Sequence, residues 1–146
     1  MATKPLPNGH ISSGYGWRVI TLPEKSTEKQ FHPGIDIGDH ARDPQIVAPY
    51  AGKIVEAGFS PTFGNRIWVL MEDGKYNKMH YVLAHMKSLD PSIKKGNHIN
   101  EGDKVGIMGS TGLSLAPHTH FEIRERPDVP GVGVQEPTEI INLYKA

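Results

Sequence analysis

The chain contains no cysteine. A thiolate metal site is therefore excluded, and any bound metal must be held by His, Asp or Glu. There is no excess of charge of either sign. Lys plus Arg number 16, Asp plus Glu number 16, and the formal net charge is zero. That balance speaks against a basic nucleic-acid surface and against a polybasic membrane patch. No apolar run approaches the length of a membrane-spanning helix. Residues 1–9 (MATKPLPNG) lack the apolar h-region of a secretory signal.

What is present describes a folded β protein. The 146 residues are 37% hydrophobic and 22% charged, which suits one globular domain over 1–146 with its own core. The 16 glycines and 12 prolines are spread so widely that long helices have no room. The apolar segments are short and bounded by turn residues, which predicts an all-β, mainly antiparallel sheet with few helical turns. Strands are expected over 46–59, 65–72, 105–108 and 119–124. Asp73-Gly74 predicts a two-residue type I′ turn, with a return strand over 75–86. Residues 22–30 read as a polar loop. Asp90 is placed to cap one helical turn, and 137–143 could form a short helix with Pro137 at its first position.

Two short histidine segments carry the chemistry. One is His32-Pro33-Gly34-Ile35-Asp36 and the other is His118-Thr119-His120. Side chains at i and i+2, and at i and i+4, share one face of an extended segment. Pro33-Gly34 argues against a helix between His32 and Asp36. Three imidazoles and a carboxylate at these spacings suit zinc, which takes three protein ligands in a catalytic site and leaves one position open. Spacing alone leaves open whether His118 and His120 both bind the ion. It also leaves open which of His10, His40, His80, His85 and His98 joins them. His80 and His85 are an odd number apart, so a regular strand sends at most one of them to the site.

Other features have plainer readings. Gly106–Gly112 (GIMGSTG) lacks the Gly-Lys-Ser/Thr ending of a phosphate loop and reads as a tight turn. The serines have no nucleophile-elbow context. Without a basic patch, the aromatics do not read as a nucleic-acid stacking platform.

Taken together, these segments resemble the lysostaphin-type (LytM-like) zinc metallopeptidases. The resemblance runs through Ser12-Ser13-Gly14-Tyr15-Gly16-Trp17-Arg18, the His32 to Gly38 segment, Ala48-Pro49-Tyr50-Ala51-Gly52-Lys53-Ile54-Val55, the segment from Gly102 to Gly112, and Pro117-His118-Thr119-His120-Phe121-Glu122. It covers roughly residues 9–123, in the family's order. It implies one Zn²⁺ per chain held by His32, Asp36 and His120, with His118 catalytic rather than ligating. It implies a second catalytic histidine at His85, although Leu83 and Met86 replace the tyrosine and leucine usual around it. Tyr81, Leu83 and His85 share one face of a regular strand, which supports His85.

The family fold is an antiparallel sheet with a groove whose floor holds the zinc, and the family cleaves peptide bonds in peptidoglycan. Tyr15 and Arg18 become candidates to contact the peptide substrate, against the alternative of a packed tyrosine and a solvated arginine. Glu122 shares the face of His118 and His120 and is a candidate to orient an imidazole. A small catalytic domain without a signal peptide also resembles a bacteriophage lysin or a tail-associated peptidase. It would reach the bacterial cell wall or periplasm by lysis, through a holin, or on the virion. Neither nucleic acid nor membrane insertion is expected. The competing readings are a non-enzymatic binding or virion module on the same fold, and a zinc hydrolase with another substrate, such as an amidase.

Overall fold

The computed structural model describes residues 2–21, 23, 24, 26–112, 114, 116–125 and 133–146. In chain order the strands are β1 (His10–Ser13), β2 (Gly16–Thr21), β3 (Thr27–His32), β4 (Ile35–Gly38), β5 (Gln45–Val47), β6 (Gly52–Ser60), β7 (Gly64–Met71), β8 (His80–Leu89), β9 (His98–Ile99), β10 (Lys104–Met108), β11 (Thr119–Arg124) and β12 (Val134–Gln135). Helix α1 (Thr138–Lys145) follows. Ten strands form one sheet, with the path β1-β4-β11-β8-β7-β6-β9. β10 pairs with β5 and with the end of β8, and β12 adds to β11. β2 and β3 pair only with each other, as a hairpin outside that sheet. The antiparallel all-β architecture expected from composition is the one observed. Among the described residues no helix is long and apolar enough to cross a membrane.

Alternation along the central strands decides what faces what. Ile35 and Ile37 of β4, Ile67 and Val69 of β7, Tyr81 and Leu83 of β8, and Phe121 and Ile123 of β11 are all fully buried on one face. Each such side chain contributes about 1.5–3 kcal/mol by leaving water. The residues between them, including Asp36, Trp68, Val82, His120 and Glu122, must point to the other face. Register fixes which of these meet. Asp36 lies directly across from His120, and His120 directly across from Ala84. Gly34 permits the approach of β4 to β11, since a Cβ there would lie 2.3 Å from the Phe121 carbonyl oxygen.

Several local expectations are corrected. The strand expected over 46–59 is broken between β5 and β6 by the Pro49-Tyr50-Ala51 turn. No two-residue turn forms at Asp73-Gly74. The chain instead loops over 72–79 and closes where Met71 N–H donates to the Met79 carbonyl. That loop folds back to bury Tyr76, which packs edge-on against Tyr50 at 5.9 Å. Local turn preference loses there to burial of an aromatic ring. The return strand accordingly starts later, at His80. Within the segment read as a loop, 27–30 belongs to β3, while Leu22 and Lys25 lie outside the described residues. Asp90 accepts hydrogen bonds from Ser92 N–H and Oγ at 3.0 and 2.6 Å, making a turn rather than a helical turn. The C-terminal helix forms one residue later than expected, with Pro137 as its N-cap.

Candidate metal and catalytic centre

β3, β4 and β11 bring three donors to one point. His32 Nε2 lies 3.4 Å from Asp36 Oδ1, and His120 Nδ1 lies 2.8 Å from the same oxygen. Donor atoms of His32, Asp36 and His120 all lie within 4.8 Å of one another, the one such triad among the described residues. The far nitrogen of each imidazole is already engaged. His32 Nδ1 is 2.7 Å from the Gly14 carbonyl oxygen, so it donates, and its Nε2 keeps the lone pair. His120 Nε2 is 2.7 Å from Glu122 Oε1. Two imidazoles with their outer nitrogens engaged, together with one carboxylate, fit a zinc ion.

The charges are mutually supporting. Burial alone would raise the Asp36 carboxyl, but hydrogen bonds from His120 and His32 outweigh it and hold the group far below the usual carboxylate range. Burial alone would lower His120, yet the hydrogen bonds to Asp36 and Glu122 raise it to about 9. In the metal-free protein a proton on His120 Nδ1 therefore faces Asp36. Zinc binding must expel it. The apparent zinc affinity is expected to rise about tenfold per pH unit from pH 6 towards 9, with about one proton released per ion at pH 7. Titration in two buffers of different ionisation enthalpy measures that number. Zero protons released at pH 7 would contradict a protonated His120.

Two more histidines flank the triad. His118 Nε2 lies 3.6 Å from Asp36 Oδ1, and its Nδ1 lies 2.9 Å from the Ala116 carbonyl oxygen. The His85 ring lies 4.9 Å from that of His118 and 6.3 Å from that of His120. His85 Nδ1 donates to the Thr111 carbonyl oxygen at 2.7 Å, leaving Nε2 with the lone pair. Burial lowers the His85 pKa, against a smaller raising effect of the Thr111 hydrogen bond, and so favours the neutral ring.

His85 reaches this place by a route that strand parity did not foresee. Tyr81 and Leu83, expected to share its face, point into the core instead. Between the pairs Asn65–Met86 and Ile67–Leu83, β8 carries one residue more than β7. This is a β-bulge, and His85 sits in it at φ 63°. The bulge returns His85 to the metal face. It is held there by its N–H on the Phe63 carbonyl at 2.7 Å. Gly64 makes room for this corner, because a Cβ there would lie 2.2 Å from Thr111 Oγ1. A left-handed backbone costs a residue with a Cβ about 1–2 kcal/mol. His85→Gly is therefore expected to be more stable than His85→Ala by about 1 kcal/mol in denaturant melts, although both lack the imidazole. Equal stability would mean that the bulge is not held in the variants.

His80 lies on the same sheet face as His120 but further along, across from Arg124. His10 stacks on His40 at 5.1 Å, and His98 pairs with Glu72 at 2.9 Å, both in exposed positions away from the triad. Arg18 gives its guanidinium to Ser13 Oγ and Gln30 Oε1, at 2.5 and 3.1 Å, rather than to the histidine cluster. Tyr15 packs edge-on against Phe31 and lines a hollow of about 500 Å³ with Ile35, Ile141 and Tyr144. Glu122 contacts His120 as its face parity implied. Its other partner, Arg124, was not foreseen, although the alternation His118, His120, Glu122, Arg124 continues the same face.

Residues 30–131 match the model of Peptidase family M23. The chain belongs to peptidase family M23. The cofactor of the family is zinc, and the His32, Asp36 and His120 triad is the donor set present for it. Lysostaphin of Staphylococcus simulans is 36% identical over 114 residues, 77% of this chain and 21% of lysostaphin. The glycyl-glycine endopeptidase ALE-1 of Staphylococcus capitis is 35% identical over 114 residues, 77% of this chain and 29% of that protein. The chain thus spans less than a third of the length of these two relatives. The catalytic domain of the antimicrobial peptidase lysostaphin superposes with a TM-score of 0.76 at 27% identity, covering 97% of this chain and 99% of that domain. A catalytic-domain structure of the prophage-encoded M23 protein EnpA from Enterococcus faecalis gives 0.69 at 26% identity, covering 89% of each chain.

Proposed function

We propose that this M23 chain is the catalytic domain, over 1–146, of an endopeptidase that hydrolyses peptide bonds of bacterial peptidoglycan, in the stem peptide or the cross-bridge. The observation that carries the reading is the convergence of His32, Asp36 and His120 with His85 and His118 at one point on the sheet. The likeness to a glycyl-glycine endopeptidase favours internal bonds of a glycine-rich peptide. The likeness to a prophage-encoded M23 protein favours a phage lysin or virion-borne enzyme acting on the cell wall.

In this reading His32, Asp36 and His120 hold the zinc. When bound, the ion supplies a Lewis acid that polarises a carbonyl and acidifies water. The rest of the chemistry belongs to His85 and His118. Both have Nδ1 against a backbone carbonyl, which leaves Nε2 to exchange protons, and that of His118 lies 3.6 Å from Asp36 Oδ1. One accepts the proton of the attacking water. The other, protonated, hydrogen-bonds the developing oxyanion or delivers a proton to the leaving amine. Tyr15 and Arg18 take the outer parts of the peptide. Arg18 does so from the hairpin, where its bonds to Ser13 and Gln30 fix its direction.

Metal analysis followed by mass spectrometry of digested peptidoglycan tests the reading. New N-termini within stem or bridge peptides are expected from the zinc-loaded protein. Release of intact stem peptides from the glycan would indicate an amidase. No products from zinc-loaded protein would favour a binding module.

A further inference from the structure

The face of β11 that carries His120 continues to Glu122 and Arg124, and both are almost completely buried, at 2% exposure. Glu122 is contacted from two sides. His120 Nε2 approaches Oε1 at 2.7 Å, and Arg124 Nε hydrogen-bonds Oε2. The guanidinium is held in turn by aromatic faces, 5.4 Å from the ring centre of Trp68 and 5.6 Å from that of Phe63. Phe63 also stacks on His120, with ring centres 6.4 Å apart and planes inclined by 26°. Arginine, glutamate and histidine thus form one buried row that ends at the triad.

A guanidinium has no acceptor atom and does not deprotonate in proteins. Arg124 can only donate to Glu122, and Glu122, ionised, can only accept on both sides. Nε2 of His120 is therefore the N–H nitrogen. The lone pair of a neutral His120 falls on Nδ1, the nitrogen 2.8 Å from Asp36. We infer that Glu122 and Arg124 are positioning residues that fix the tautomer of His120, with Arg124 setting the direction of hydrogen bonding along the row. The inference rests on His120 being a zinc ligand.

An isosteric change exposes this polarity. The side chain in Glu122→Gln has one acceptor oxygen and one NH₂ group. Arg124 takes the oxygen, because its N–H cannot face a second donor. The NH₂ group is then turned to His120, whose Nε2 must become the acceptor. The ring proton moves to Nδ1, where the metal should bind. Outer hydrogen-bond partners of this kind typically change metal affinity by about 10–100-fold, and a loss of that size is expected for Glu122→Gln. Adding Arg124→Met removes the donor that imposes the amide orientation. The amide can then turn its oxygen to Nε2, and zinc affinity is expected to return most of the way to wild type. A merely structural arginine predicts the opposite, that the double variant is no better than the worse single one.

Zinc affinity is measured by chelator competition on variants that keep the wild-type far-UV circular dichroism. Wild-type affinity in Glu122→Gln would overturn the role of Glu122. Loss in Glu122→Gln without recovery in the double variant would overturn that of Arg124. Nitrogen-15 NMR of the zinc-loaded wild type needs no variant. A proton on Nε2 of His120 is expected, and a proton on Nδ1 would overturn the inference. Full zinc retention by His120→Ala would instead sink the ligand assignment itself.

Discussion

His120→Ala is expected to purify without stoichiometric zinc and without peptidase activity. The change removes one of the three donors that lie within 4.8 Å of one another. It also removes the partner nearest to Asp36 and leaves Glu122 with Arg124 alone. Because zinc binds only the assembled site, the stabilisation that it gives the folded chain is lost with it. The melting temperature of the variant should no longer respond to added zinc. One zinc per chain in the purified variant would show that the donor is another group.

His85→Ala and His118→Ala should behave differently from His120→Ala. Each should keep its zinc and lose about 10²–10⁴-fold in turnover, the usual contribution of a positioned acid or base. The double variant should be far less than multiplicatively worse, because the two rings, 4.9 Å apart, serve one proton transfer sequence. His80→Ala is the control on the same strand and should be nearly silent in turnover. His118 is the more exacting case, since its Nε2 lies within 3.6 Å of Asp36. If His118→Ala loses zinc together with activity, it is a ligand. An active His85→Ala beside an inactive, zinc-loaded His80→Ala would reverse the assignment on β8.

The parts of the centre that depend on period two were legible in the sequence. His118 and His120 face the same way because they are two apart on an extended segment. Glu122 follows by the same rule, and Arg124 would have followed had the count been carried two residues further. The pairing of β4 with β11 was not legible from spacing alone, since register between distant strands depends on which apolar sets meet in the core. The resemblance supplied it, by grouping His32 and Asp36 with His120. His85 shows the opposite failure. The resemblance named His85, whose ring does lie beside that of His118, but the supporting parity argument put it beside Tyr81 and Leu83, which are core residues. A bulge shifts the count by one, and a histidine does not announce it, since few residues other than glycine adopt a left-handed backbone. Asp73-Gly74 failed for a related reason. A strong two-residue turn signal was overridden by Tyr76, which is buried across from Tyr50.

The hairpin of β2 and β3 shares no strand pairing with the main sheet, yet it ends in His32. Asp36 and His120 belong to the sheet. The proposed ligands therefore come from both the hairpin and the sheet, and an ion bound to all three would act as a rivet between them. Without it, the hairpin base is tied by lighter fastenings, such as the Gly14 carbonyl on His32 and the Arg18 contact with Ser13. The side of the hairpin that carries Trp17 and Val19 is open to solvent and adds little grip. Occupancy of the centre would thus govern more than reactivity. An ion there would also set how firmly one wall stands against the sheet, and so would link metal supply to the shape that a long, flexible polymer would meet.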